Sequence, residues 1–116
     1  MITRFLLILL ISPMFVFSQE QALKPQFFIQ SKLDANLTEA QMRELKLDLS
    51  ENPNVFMVRI DEFNHTLYLI TKEMDELNES IFKGWIAHQE NIYSCYYQGI
   101  HRIDSFKPFD DKFCED

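Results

Sequence analysis

The sequence predicts one α+β domain whose elements follow the order strand, helix, strand, strand, helix, strand. Four short segments rich in aromatic and β-branched residues have the apolar and polar pattern of half-buried strands. Two other segments repeat apolar residues every three or four positions, which is the period of an amphipathic helix. The predicted organisation has four parts: a signal peptide at 1–18, a linker at 19–25, the folded domain at 26–103 and an acidic, aromatic tail at 104–116.

Local signals mark the first strand and the first helix. The segment Gln26–Leu33 has the near-alternation of a strand. Its predicted inner face comprises Phe27, Ile29 and Leu33. Thr38 and Gln41 then form a capping box, in which the Thr38 hydroxyl accepts from the Gln41 amide while the Gln41 side chain reaches back. We expect the helix to end before Asn52-Pro53, because proline disfavours the helical conformation in the residue ahead of it.

The next two strands are predicted to form a hairpin that leads into the second helix. Val55–Asp61 and Thr66–Thr71 both alternate, and the short EFNH segment between them suits a hairpin turn. Met74–His88 then has helical periodicity, with Asp75 and Glu76 expected in the first turn, where negative charge complements the helix dipole. The predicted apolar row of this helix is Leu77, Ile81 and Trp85, with Phe82 and Ile86 beside it.

The last strand is predicted over Ile92–Ile103, with Gly99 as a bulge or bend, and an irregular segment follows from Phe106. Gly84, inside the second helix, is expected to allow close approach to the sheet. This order of elements predicts a ferredoxin-like βαββαβ sandwich, in which right-handed crossovers build a four-stranded antiparallel sheet with both helices on one face.

The run SKLDANLTEAQMRELKLDLSENPNVFMVRIDEFNHTLYLI resembles the heavy-metal-associated domain family, small copper-handling modules of the same βαββαβ plan. The resemblance covers about residues 26–103 and is clearest in ENPNVFMVRID, where the first helix ends and the second strand begins. That family binds soft metal through two cysteines in the loop after the first strand. Here the loop is LDANLTEAQ, in which Asp34 and Asn36 cannot replace the thiolates that select Cu(I). The resemblance therefore implies the fold and argues against the metal activity.

The first eighteen residues have the pattern of a secretory signal peptide, with Arg4 ahead of the apolar run Phe5–Phe17. This run is shorter than the roughly 20 residues that a bilayer-spanning helix needs, so we expect cleavage between Ser18 and Gln19, an uncleaved anchor being the alternative. Cleavage would leave 98 of the 116 residues and remove Arg4, which changes the formal net charge from −7 to −8. The sequence thus predicts a periplasmic or secreted protein.

The two cysteines, Cys95 and Cys114, are expected to form a disulfide in that oxidising compartment. In the alternative interpretation, the two cysteines are a pair of reactive thiols. This interpretation is disfavoured because neither cysteine lies in a C-x-x-C motif or directly beside a lysine, arginine or histidine that would favour a thiolate. The bond would tie the C-terminal tail to the body of the domain.

Sites for catalysis, cofactors and metals are not predicted. The three histidines, His65, His88 and His101, are scattered along the chain without the spacing of a zinc site. The carboxylates Asp61-Glu62 and Asp75-Glu76-Glu79 do not form a calcium-loop ladder, and hydrolase and phosphate-loop motifs are missing from the sequence. The acidic balance argues against nucleic acid and anionic membranes as partners.

Aromatic residues near the C-terminal end provide the best candidate for a functional surface, because tyrosine and phenylalanine are enriched at binding interfaces. The predicted partner surface comprises Tyr93, Tyr96, Tyr97, Phe106, Phe109 and Phe113. The leading hypothesis is a non-enzymatic interaction module that uses the open sheet face and the aromatic, acidic tail to hold a protein partner or a second copy of itself. In a structural alternative the tail simply covers the second face of the sheet, held by Cys114. The functional alternative is a metal or small-ligand carrier that uses the cysteines or histidines as ligands.

Overall fold

A computed structural model describes residues 24–87, 89 and 91–115 and confirms the predicted order of elements. The strands are β1 (Phe27–Leu33), β2 (Val55–Asp61), β3 (Thr66–Thr71) and β4 (Tyr93–Ile100), and the helices are α1 (Glu39–Ser50) and α2 (Glu79–Trp85). The predicted signal peptide at 1–18, its cleavage position at Ser18 and Gln19, most of the linker at 19–25, and His88 lie outside the described residues.

The four strands form one antiparallel sheet in the order β2-β3-β1-β4, which is the ferredoxin-like arrangement that the sequence predicts. Ile29 in the middle of β1 lies opposite Leu69 on one side and Gln98 on the other. Both helices cover the face of the sheet that carries Ile29. The buried core between them includes Leu33, Met42, Leu45, Leu49, Leu67, Leu69, Phe82 and Ile86. We call the opposite face, which carries Phe28, the second face of the sheet.

The first helix begins and ends where the sequence predicts. The Thr38 hydroxyl accepts from the Gln41 amide at 3.1 Å, and the Gln41 side chain accepts from the Thr38 amide at 2.9 Å, which completes the capping box. The helix ends at Ser50, before Asn52-Pro53. Its buried face is formed by Met42, Leu45 and Leu49. Local capping and periodicity thus define α1 without help from distant residues.

The second helix is shorter than predicted: it starts later because Asn78 caps it, and it ends at Trp85, before Ile86 and Ala87. Asn78 has extended backbone angles, and its side chain accepts from the Ile81 amide at 2.9 Å, so the helix starts at Glu79. Asp75 and Glu76 therefore precede the helix, and their predicted place in its first turn is wrong. The role predicted for Gly84 is also wrong, since a Cβ built there would have no neighbour within 4 Å.

Gly99 is not a bulge or bend. It pairs regularly with Phe28, and the irregularity between β1 and β4 lies instead between Lys32 and Leu33. A Cβ on Gly99 would lie 2.6 Å from the Phe28 ring and 2.8 Å from Cβ of Asp104. The glycine is therefore required for the close packing of Phe28 and of the chain that follows β4.

Candidate interaction surface

Residues 104–115 fold back across the second face of the sheet, and we call them the C-terminal cap. Two reciprocal hydrogen bonds hold the cap to β1: the Gln30 amide donates to the Lys107 carbonyl at 2.6 Å and accepts from the Lys107 amide at 2.8 Å. Lys32 Nζ donates to the Asp110 carbonyl at 2.8 Å. Because Gln30 is buried, these contacts satisfy an amide that would otherwise be costly to desolvate.

Phe106 covers the centre of the second face. Its ring meets the Phe28 ring edge-on at a centroid distance of 4.9 Å and the Tyr68 ring at 5.2 Å. Edge-to-face contacts at these distances are favourable beyond the apolar area that they bury. Phe28 is fully buried as a result, whereas Phe106 keeps 56% of its surface exposed. One side of the Phe106 ring is therefore anchored while the remainder is presented to solvent.

The predicted disulfide between Cys95 and Cys114 is present, with a Cα–Cα distance of 5.5 Å, and it fixes the far end of the cap to β4. Next to it, Phe113 is only 2% exposed, and its ring lies 4.8 Å from that of Phe109. Lys107 Nζ lies 5.3 Å from the centroid of the Phe113 ring, a cation–π distance. The cap is thus held at its beginning by hydrogen bonds and at its end by a covalent bond.

The six aromatic residues predicted as a partner surface lie on two opposite sides of the sheet. Tyr97 lies on the second face with the cap, where its ring is 6.0 Å from that of Phe28. Tyr93 and Tyr96 lie on the helix side and pack around Phe82, at centroid distances of 5.7 and 5.5 Å. Neighbouring residues of a strand point to opposite faces, so the sequence alone could have separated Tyr96 from Tyr97.

The Tyr93 hydroxyl links β4 to α2, whereas the Tyr96 hydroxyl bonds within β4. Tyr93 donates to Glu79 Oε2 at 2.6 Å, and Tyr96 donates to Gln98 Oε1 at 2.5 Å. Burial raises the pKa of both tyrosines well above the ordinary value, and the nearby Glu79 carboxylate raises it further. Both hydroxyls therefore stay protonated at neutral pH as hydrogen-bond donors.

Three apolar side chains at the cap stay exposed, and we call them the cap surface. They are Ile103 at 76%, Phe106 at 56% and Phe109 at 38% exposure. The sequence-based prediction missed Ile103, which lies in the turn after β4, where the Ile103 amide donates to the Ile100 carbonyl at 3.1 Å. Phe113, also in the cap, is by contrast buried. The tail therefore covers the second face of the sheet, as the structural alternative predicts, and the open sheet face of the leading hypothesis is wrong. Phe106 and Phe109 still keep part of their surface exposed.

Three other exposed apolar side chains lie on α1, in β2 and in the turn after β2. They are Leu47 at 60%, Phe56 at 64% and Phe63 at 90% exposure. None of them was predicted to be functional. Phe63 lies in the turn between β2 and β3, and Phe56 is the extra residue at an irregularity between Val55 and Met57. The strand order puts β2, and with it Phe56, at the edge of the sheet.

Two open clefts lie at the helix side and at the loop end of the sheet. One, of about 560 Å³, is lined by residues that include Glu79, Lys83 and Tyr93. The other, of about 540 Å³, is bordered by Asp34 and His65, and the His65 Nε2 atom lies 3.2 Å from the Leu37 carbonyl. Within residues 24–87, 89 and 91–115, no group of three or more histidine, cysteine, aspartate or glutamate side chains could hold a metal ion.

Comparisons with models of protein families, with curated proteins and with solved structures find no match to this chain. The resemblance to heavy-metal-associated domains therefore stays a prediction from the residues. In the described part of the chain, neither helix has the length and apolar character needed to cross a membrane.

Proposed function

We propose that this chain is a small, exported, non-enzymatic module that binds a protein partner through the cap surface. Fixed, exposed aromatic residues carry this proposal: Phe106 and Phe109 keep 56% and 38% of their surface accessible on a segment bound to the sheet at both ends. Large aromatic side chains in the centre of an interface supply most of its binding energy. The cap offers two such side chains, and Ile103, just before the cap in the chain, is an exposed aliphatic residue.

The way the cap is held favours tight binding. An exposed segment that is free in solution loses conformational entropy when a partner orders it. Here the Gln30–Lys107 hydrogen bonds and the Cys95–Cys114 bond already order the segment in the free protein. Phe106 and Phe109 are therefore already in a fixed position before a partner binds, and the free-energy cost of ordering them on binding is smaller.

Charge around the cap surface indicates the chemistry of the partner. Asp110, Asp111 and Glu115 are all exposed on the cap, and the chain as a whole is acidic. Opposite charge at the rim of an interface speeds association and disfavours wrong partners. The proposed partner is therefore a protein that presents an apolar pocket or ridge with basic residues around it.

The disulfide supports the exported location, since such bonds persist in oxidising compartments. It also bears on the alternative of a metal or small-ligand carrier. With both sulfurs bonded to each other, Cys95 and Cys114 cannot act as thiolate ligands. No contact among the described residues favours the carrier over the interaction module.

Native mass spectrometry of the protein isolated without reductant from the extracytoplasmic fraction of its host would first identify a bound polypeptide. The affinity of that purified partner is then measured for wild type, Ile103→Ser, Phe109→Ala and the control Leu47→Ala, an exposed apolar residue on α1. We expect Phe109→Ala to weaken binding by roughly thirtyfold, the size of a hot-spot loss, and the control to bind normally. Equal binding by wild type and both cap variants, each folded, would reject the proposal.

A further inference from the structure

Strand β2 forms an edge of the sheet, so one side of its backbone faces away from β3 with no strand partner among the described residues. An edge of this kind carries free N–H and C=O groups that can pair with another strand. The two charged residues of β2, Arg59 and Asp61, are both exposed and are two positions apart, so they lie on the same face of the sheet.

The charges of β2 complement a second copy of the same strand. In an antiparallel pair of identical strands centred on Ile60, Arg59 of each copy lies opposite Asp61 of the other, which gives two opposite-charge pairs on one face. Cross-strand pairs of this kind stabilise antiparallel sheets. Arg59 makes no ion pair with any other residue in the described ranges, so its charge is available for this contact.

We infer that β2 is a self-association edge, through which two copies of this chain pair antiparallel about a two-fold axis at Ile60 and join their sheets into one of eight strands. The partner is a second copy because the charge pattern is self-complementary about that axis, as a two-fold interface requires. This inference does not depend on the cap surface, which lies on other elements.

Apolar residues at both ends of the strand fit this register. Phe63, which is 90% exposed in the turn after β2, lies opposite Met57 of the second copy, and the same contact recurs at the other end by symmetry. Phe56, 64% exposed at the irregularity, ends the regular run of β2 and adds apolar surface beside it. Strand pairing thus covers side chains that the single chain leaves in water.

Two carboxylates at the end of β2, those of Glu62 and Asp61, already have partners within one chain. Glu62 lies 3.5 Å from Arg43 Nε on α1. Asp61 accepts from the Phe63 amide at 3.0 Å and from the Asn64 amide and side chain at 3.1 and 2.8 Å, which keeps its carboxylate at the base of the turn. A carboxylate has about four acceptor sites, so Asp61 can still accept from Arg59 of the second copy.

Cysteine cross-linking of the full chain tests the register directly. The two Ile60 side chains would face each other with Cβ atoms about 5 Å apart, whereas the two Phe63 positions would be offset by six residues, about 20 Å. We expect mild oxidation of Ile60→Cys to give a cross-linked dimer at least tenfold faster than oxidation of Phe63→Cys, although Phe63 is the more exposed position. Equal rates, or a faster Phe63→Cys, would overturn the register.

Sedimentation equilibrium provides a measurement that does not depend on folding of the cysteine variants. Wild type and Arg59→Lys should form dimers with the same dissociation constant, while Arg59→Asp places like charges opposite each other twice and should weaken the dimer at least roughly tenfold. A wild-type protein that stays monomeric at millimolar concentration, or an Arg59→Asp variant that dimerises as well as wild type, would overturn the inference. Neither outcome would affect binding of another protein at the cap surface.

Discussion

Replacing both cysteines with serine should release the far end of the cap while its beginning stays docked. The bond joins residues 19 positions apart. In the chain-entropy model, a closed loop of that size lowers the entropy of the unfolded chain and so raises its free energy by about 3 kcal/mol. The double variant leaves no single thiol that could form a wrong bond. We therefore expect the free energy of unfolding to fall by about 3 kcal/mol and the melting temperature by roughly 15 °C.

Local effects of the same variant can be separated along the cap. The Lys107 amide stays bonded to Gln30, so it should keep its protection from hydrogen exchange. The Phe113 amide, which donates to the Asp110 carbonyl within the cap itself, should lose protection because Cys114 no longer ties this turn to β4. Urea unfolding followed by fluorescence gives the free energy of unfolding, and amide hydrogen exchange gives the protection of the Lys107 and Phe113 amides.

A fall in the free energy of unfolding of less than about 1 kcal/mol would contradict the prediction, since the loop-entropy model then fails for this chain. The prediction would also be refuted if the Lys107 and Phe113 amides lost protection together, because the cap would then open as one unit. Retained exchange protection at both amides would show that side-chain packing alone holds the end of the cap.

Three further perturbations have defined expectations. Gly99→Ala places a methyl group 2.6 Å from the Phe28 ring and should destabilise the protein by about 1–3 kcal/mol, measured by urea unfolding. Asn78→Ala removes the cap of α2 and should cost about 1 kcal/mol in the same assay, while Asn78→Asp should cost little. Burial raises the pKa of Tyr93 and Tyr96 in the folded protein above the ordinary value of 10.0 that applies to the unfolded chain. The free energy of unfolding should therefore be independent of these two groups below pH 10.0 and should fall as the pH rises above 10.0. A spectrophotometric titration in which all four tyrosines ionised near the ordinary value would contradict the last expectation.

Local patterns in the sequence define much of the fold. Strands β2 and β3 lie at the predicted residues because alternation and a short turn determine a hairpin without distant contacts. The capping box at Thr38 likewise marks the start of α1. The start of α2 was mispredicted because the periodicity of its apolar residues continues ahead of Asn78, whose side chain caps the helix later in the chain.

The sequence predicted, as an alternative, that the tail covers the second face, but not the contacts that hold the cap, because these contacts join distant parts of the chain. Gln30 and Lys107 are 77 residues apart, and neither has a local signal for the hydrogen bonds that they make. The role of Gly99 has the same origin, since only the position of Phe28 in the folded sheet excludes a Cβ there. The alternation rule, in contrast, would have placed Tyr96 and Tyr97 on opposite faces from the sequence alone.

The two proposals together predict that dimerisation strengthens binding of a partner fixed to a surface. A two-fold axis perpendicular to the joined sheet keeps equivalent faces on the same side, so both caps would face the same way, with the two β2 strands between them. Two sites that engage a surface at once dissociate far more slowly than one. The oxidised Ile60→Cys dimer should therefore leave a partner-coated surface at least roughly tenfold more slowly than the Arg59→Asp monomer does. Equal dissociation rates would show that the two cap surfaces cannot bind the same surface together, even if each proposal holds separately.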